Sequence, residues 1–139
     1  MEYRLTDTPD DALKAQIKKQ VGLYNASHMP VDLRELVITL NDAQGKLTGG
    51  LSGRSAWGCL HIDYLWVDET LRGQGVVATL IAMAEEEGRR RGCRHVFVDT
   101  FSFQAPTFYR KQGYEKYGEA SGYLNQHTRF YFGKALSDE

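Results

Sequence analysis

Apolar positions along the 139 residues fall into blocks whose spacing switches between the period of a helix and that of a strand. Residues 2–6 read as a short first strand. Thr8-Pro9-Asp10-Asp11 then combines a capping hydroxyl, a proline at the first helical position and carboxylates in the first turn. Leu13, Ile17, Val21 and Tyr24 follow at helical spacing, which predicts a helix over about 10–26. The stretch RELVITLNDAQGKLTGGLSG holds two apolar segments around a polar loop with Gly45, so 34–41 should pair with 46–54 as an antiparallel hairpin.

CLHIDYLWV, 59–67, is nearly continuous in hydrophobicity and rich in aromatic and branched residues, as expected of a central strand covered on both faces. From Gly73 onward Val77, Leu80, Ile81, Ala84 and Gly88 mark one face of a helix, with 85–87 and 89–91 on the other and Gly92 as its stop. HVFVDTF is the next strand and completes a β-α-β unit with a parallel pair. A short helix at about 105–112 ends at Gly113, and strands near 114–120 and 128–135 follow. The predicted order is βαβββαβαββ.

Composition adds limits rather than a function. At 42% hydrophobic and 25% charged residues the chain is ordinary for one soluble globular domain over 1–139, and no apolar run approaches the roughly 18 residues of a membrane span. The start, Met-Glu-Tyr-Arg-Leu-Thr-Asp, lacks the basic and apolar pattern of a signal peptide, and two cysteines make no disulfide framework, so a cytoplasmic location is expected. A net charge of -1 with scattered cations offers no footprint for nucleic acid. The four histidines, at 28, 61, 95 and 127, show no ligand spacing, and no metal is expected. The cations at 89–91 complement a helix C-terminus and pair with 85–87.

Two segments carry chemistry. In LRGQGVVATL, 71–80, Gly73-Gln-Gly75-Val-Val-Ala78 fits the dinucleotide pattern G-x-G-x-x-G/A, but its context does not. Five residues separate the glycines from the preceding strand, an antiparallel hairpin comes first, and too little chain follows for a second nucleotide-binding half. A P-loop is excluded because no Gly-Lys-Ser/Thr is present. What remains is a turn whose backbone amides, freed of side chains by Gly73 and Gly75, sit at the positive end of a helix and can close on a diphosphate such as that of coenzyme A. Asp63 stands inside an apolar strand and must face a polar cleft or a partner, with His61 and Glu69 as rivals for any role as a base.

Arg72-Gly73-Gln74-Gly75-Val76-Val77 resembles the pyrophosphate motif Arg/Gln-x-x-Gly-x-Gly/Ala of the GNAT superfamily of acyl-CoA-dependent N-acyltransferases, with Val77 at the last position and small Ala78 beside it. SFQAPTFYRKQGY, 102–114, is similar to that family's Asn-x-x-Ala-x-x-Phe/Leu-Tyr-x-x-x-Gly-Phe block, with Ala105, Phe108, Tyr109, Gly113 and Tyr114 in register and Ser102 in place of asparagine. The resemblance implies an α/β (α+β) fold, a single domain with a mixed central sheet of about six or seven strands, a splayed parallel pair and helices on both faces. It implies that a bulge frees backbone groups around Leu65, Trp66 and Val67 for the pantetheine arm and acyl carbonyl, while 72–78 hold the pyrophosphate. It further implies an acetyl group passed from acetyl-CoA to a primary amine, of a small molecule in the first instance, by direct attack in a ternary complex. Tyr109 would then protonate the leaving thiolate, and Asp63 would be the base or order the water that is. Neither Cys59 nor Cys93 sits in a nucleophile motif. Two alternatives stay open: an acyl-CoA-binding sensor or interaction module, and an acetyltransferase of protein amino groups. The acceptor loops, about 25–35 and 120–127, carry no readable motif, and a homodimer is neither required nor excluded.

Overall fold

An aspartate starts the first helix, one residue beyond the proline. In the computed structural model, which describes residues 1–137, helix α1 runs Asp11–Ala26, and the Asp10 side chain accepts from the Ala12 amide. The expected Thr8 cap is therefore displaced, and the Thr8 amide donates instead to Thr6 Oγ1 at 3.1 Å. Residues 2–6 are not a strand, because a strand exists only within a ladder and these residues make no ladder bonds. This segment belongs to a first unit, Met1–Val31, distinct from a second that begins at Asp32.

The second unit holds a six-stranded sheet in the order β1-β2-β3-β4-β6-β5. Its strands are β1 Arg34–Asn41, β2 Leu47–Ala56, β3 Cys59–Val67, β4 His95–Phe101, β5 Glu115–Ala120 and β6 Arg129–Ala135. Only β3 and β4 are parallel, as the β-α-β reading requires. The β1–β2 turn is set by Gly45 at φ +82° and by Asp42 Oδ1, which accepts from the Gln44 and Lys46 amides at 2.9 Å each. Helix α2 spans Val76–Arg90 and α3 spans Thr107–Lys111. Among the described residues no helix is long and apolar enough to cross a membrane.

Leu80, Ile81 and Ala84 of α2 meet Leu60 and Ile62 of β3, Val96 and Val98 of β4, and Phe132 of β6 in one buried cluster, which Tyr109 and Tyr114 complete. Each of the leucine, isoleucine, valine and phenylalanine side chains contributes about 1.5–3 kcal/mol when buried. Glu85, expected on the solvent face of α2, points inward instead: it accepts from the Tyr114 phenol at 2.8 Å and from Lys134 Nζ at 3.1 Å. A carboxylate can occupy that place only because both partners come with it. Arg90 and Arg91 pair with Glu87 at 2.7 Å as anticipated. Arg91 also donates to Ser55 Oγ at 3.1 Å and to the Glu35 carbonyl at 3.1 Å, tying the end of α2 to β1 and β2.

Candidate active site

The parallel ladder between β3 and β4 is short: it pairs Cys59 with His95, Leu60 with Val96, His61 with Phe97 and Ile62 with Val98, and stops there. β3 continues to Val67 and β4 to Phe101, so the two strands part like a fork. On its other edge β3 stays bonded to β2 throughout, but with a bulge: Ser52 faces Tyr64, Gly53 faces Ile62, and Asp63 is the extra residue. The bulge shifts the alternation by one. Below it Leu60 and Ile62 turn toward the core; above it Val67 does so, with Leu65 packed at the core's margin.

A cavity of about 900 Å³ fills the fork. Leu65, Val67, Val77, Val98, Thr100, Phe108 and Tyr109 line its helix side, and Asp63, Trp66, Asp99, Phe101 and Arg129 belong to the opposite face. The backbone edge of residues 64–67 that faces β4 makes no ladder bonds with it. Unpaired amides and carbonyls along a cleft wall suit an extended amide-bearing chain.

Arg72 lies on the same wall, and beyond it the chain makes its phosphate-type turn. Gly73 and Gly75 take φ +79° and +76°, conformations that side-chain-bearing residues adopt at a cost. Gly75 is the N-cap of α2 and offers no side-chain cap, while the bond from the Thr79 amide to the Gly75 carbonyl, 3.1 Å, opens the helical series. The amides of Val76, Val77 and Ala78 are therefore left for an external acceptor, and the helix dipole favours an anion there. The side chains of Val76 and Val77 pack beside the core. Gln74 does not point along the cleft wall; its Nε2 donates to the Thr70 carbonyl at 3.2 Å.

Tyr109 is 8% exposed and lines the cavity. Among the described residues its phenol has no hydrogen-bond partner, yet no fully buried side-chain oxygen or nitrogen lacks one, so the phenol oxygen must reach the cavity. Burial, reinforced by the negative charge of Asp99, pushes its pKa above the ordinary tyrosine value. The stretch before α3 is held by Gln104, whose Oε1 accepts from the Phe101 amide at 2.9 Å, and Ala105 takes a positive φ of +58°. Ser102, at the asparagine position of the second block, bonds His127 Nδ1 at 2.9 Å and accepts from the Thr128 amide at 3.1 Å.

Of the three candidate bases only Asp63 lines the cavity. It pairs with Arg54 on β2. His61 sits two residues below, within the paired part of the fork, against the Phe97 ring at 5.5 Å. Burial and the nearby Arg54 charge lower its pKa, with Asp63 opposing them. Glu69 lies in a single turn of 3-10 helix, Glu69–Leu71, outside the cavity lining. The sequence reading missed Asp99, Arg129, Gln104 and Thr100, all on the cavity wall. Asp99 carried the same signal as Asp63, a carboxylate inside an apolar strand.

The profile of the acetyltransferase (GNAT) family matches residues 7–114. The chain belongs to the GNAT family of acetyltransferases. Its likeness extends along most of its length to acetyltransferase Atu2258 of Agrobacterium fabrum, which is 38% identical over 119 residues, 85% of this chain and 87% of that protein. Blasticidin-S acetyltransferase of Streptomyces morookaense is 49% identical over 72 residues, about half of each chain at 51% and 53%. The crystal structure of an acetyltransferase from Bacillus cereus superposes with a TM-score of 0.84 at 34% identity, over 96% of this chain and 98% of that one. The mixed sheet with its single parallel pair is thus the GNAT arrangement.

Proposed function

We propose that this GNAT chain transfers the acetyl group of acetyl-CoA to a primary amine of a small molecule, without a covalent enzyme intermediate. One observation carries the reading: an unpartnered, nearly buried phenol and an arginine-anchored carboxylate lie on opposite sides of one cavity at the fork. In this reading the pyrophosphate rests on the turn 72–78, with Arg72 as its charged donor, and the pantetheine arm follows the free edge of residues 65–67.

The amine enters from the face that carries Asp63. An ammonium first gives one proton to Asp63, directly or through water, because only the neutral amine has a lone pair. Nitrogen then attacks the thioester carbonyl, the N–C bond forms and the C–S bond breaks. Nitrogen sheds its second proton to water, the departing thiolate takes one from the Tyr109 phenol, and solvent then reprotonates the phenolate and receives the proton held by Asp63. The net release is one proton per acetyl group. A phenol held protonated by burial suits a donor to a basic thiolate. The small-molecule acceptor is favoured by the relative named blasticidin-S acetyltransferase.

Free-thiol release from acetyl-CoA with a panel of amines tests the proposal. Release that depends on a primary amine supports it. Tight binding of acetyl-CoA with no release for any small amine or peptide would favour a sensor instead.

A further inference from the structure

Asp63 and Asp99 are the residues that follow Ile62 and Val98, the last pair of the parallel ladder. Had the ladder continued, they would stand side by side about 4.8 Å apart, two like charges in contact. The strands part at this point instead, and each carboxylate is drawn outward by an arginine of its outer neighbour: Arg54 on β2 holds Asp63, and Arg129 on β6 holds Asp99. Both carboxylates belong to the same face. Asp63 shares it with His61 and Arg54, Asp99 with Phe97 and Arg129, and the His61 and Phe97 rings touch.

The arginines leave half of each carboxylate unused. Arg54 donates to Oδ1 of Asp63, and Arg129 donates through Nε to Oδ1 of Asp99 at 2.9 Å with Nη2 at 2.8 Å from the same oxygen. Among the described residues neither Oδ2 has a hydrogen-bond partner. A second and independent sign of a ligand lies in the same cavity, the unpartnered phenol of Tyr109 at 8% exposure.

We propose that Asp63 and Asp99 form a two-carboxylate clamp that receives one N–H each from the acceptor amine, making Asp99 a specificity-determining residue. The proposal rests on the acetyl-transfer reading. A neutral primary amine has two N–H donors and one lone pair; with both donors on the carboxylates, the lone pair is turned toward the thioester carbonyl. The clamp also attracts the protonated form, whose third N–H, the one not held by a carboxylate, loses its proton through water and so frees the lone pair on the thioester side. A secondary amine can fill only one arm and leaves the other carboxylate oxygen unpaired against its alkyl group. The acceptor class is therefore a primary amine that arrives as ammonium, with Trp66 and Phe101 beside the clamp for its organic body.

The test uses the full chain, saturating acetyl-CoA and thiol release with benzylamine, n-butylamine and their N-methyl derivatives. The wild type should favour each primary amine at least tenfold in kcat/KM. Asp99→Asn should raise the amine KM about ten- to a hundred-fold, leave the acetyl-CoA KM within about twofold, and narrow the primary-to-secondary ratio toward one. A wild-type ratio near one, which needs no variant, overturns the clamp, as does an unchanged amine KM in Asp99→Asn. If the wild type acetylates nothing in this panel, the transfer reading is judged by the wider panel of amines and peptides, and the clamp is read from melting of the CoA-bound protein with benzylamine. Stabilisation by benzylamine that disappears in Asp99→Asn supports the clamp; equal shifts, or none in the wild type, overturn it.

Discussion

Gly53 lies so close to the carbonyl oxygen of His61 that a β-carbon at position 53 would collide with it. This contact sits beside the bulge, where Gly53 faces Ile62 and Asp63 is extruded. Gly53→Ala should therefore force β2 and β3 apart at the base of the fork. The expected cost is about 1–3 kcal/mol, read as a lower urea midpoint, together with a fall in kcat as Asp63 moves. A variant with wild-type midpoint and rate would show that the bulge tolerates a methyl group.

Tyr109→Phe keeps the ring that packs against Phe132 and removes only the phenol oxygen. Acetyl-CoA affinity by calorimetry should stay nearly constant while kcat drops roughly ten- to a thousand-fold. Retention of wild-type kcat with a good amine would assign the phenol to packing alone.

Arg72→Glu replaces a donor on the cavity wall with a like charge for the diphosphate. Loss of one charge-assisted contact predicts acetyl-CoA binding about ten- to a hundred-fold weaker, with the melting temperature of the free protein little changed. Equal affinity in both proteins would mean that the guanidinium does not meet the phosphates.

Tyr114 provides a test in alkali. Burial, then the Glu85 charge and the hydrogen bond to Glu85, raise its pKa well above the ordinary value of about 10. In the unfolded chain this phenol ionises near pH 10 while the native one stays protonated, so its contribution to stability is present below pH 10 and is lost as pH rises beyond it. Urea midpoints should fall between pH 9.5 and 11, and the fall should be shallower in Tyr114→Phe. Parallel curves for the two proteins would place the linkage elsewhere.

Legibility followed the range of the interactions. The strand CLHIDYLWV, the hairpin around Gly45 and HVFVDTF were readable because their spacing and turn residues are local; the two strands keep their expected bounds, while the second arm of the hairpin, expected over 46–54, runs Leu47–Ala56. The first helix kept its expected span of about 10–26, but its cap moved from Thr8 to Asp10 because several residues there can cap. The inward turn of Glu85 was hidden, since its partners Tyr114 and Lys134 lie 29 and 49 residues away. Arg129 was equally hidden: only the pairing of β6 with β4 brings it to Asp99. Asp99 itself was readable in HVFVDTF by the reasoning applied to Asp63, a carboxylate inside an apolar strand.

The four residue pairs that join β3 to β4 have a mechanical consequence. On one side β1, β2 and β3 form an antiparallel half-sheet; on the other β4, β6 and β5 form a second. Those pairs are the seam between the two half-sheets, and the cavity lies where the sheets part. On the proposed transfer reading, the gap between the half-sheets limits the girth of the acceptor, and substitutions that repack Leu60, Ile62, Val96 or Val98 should retune which amines fit without touching one of them.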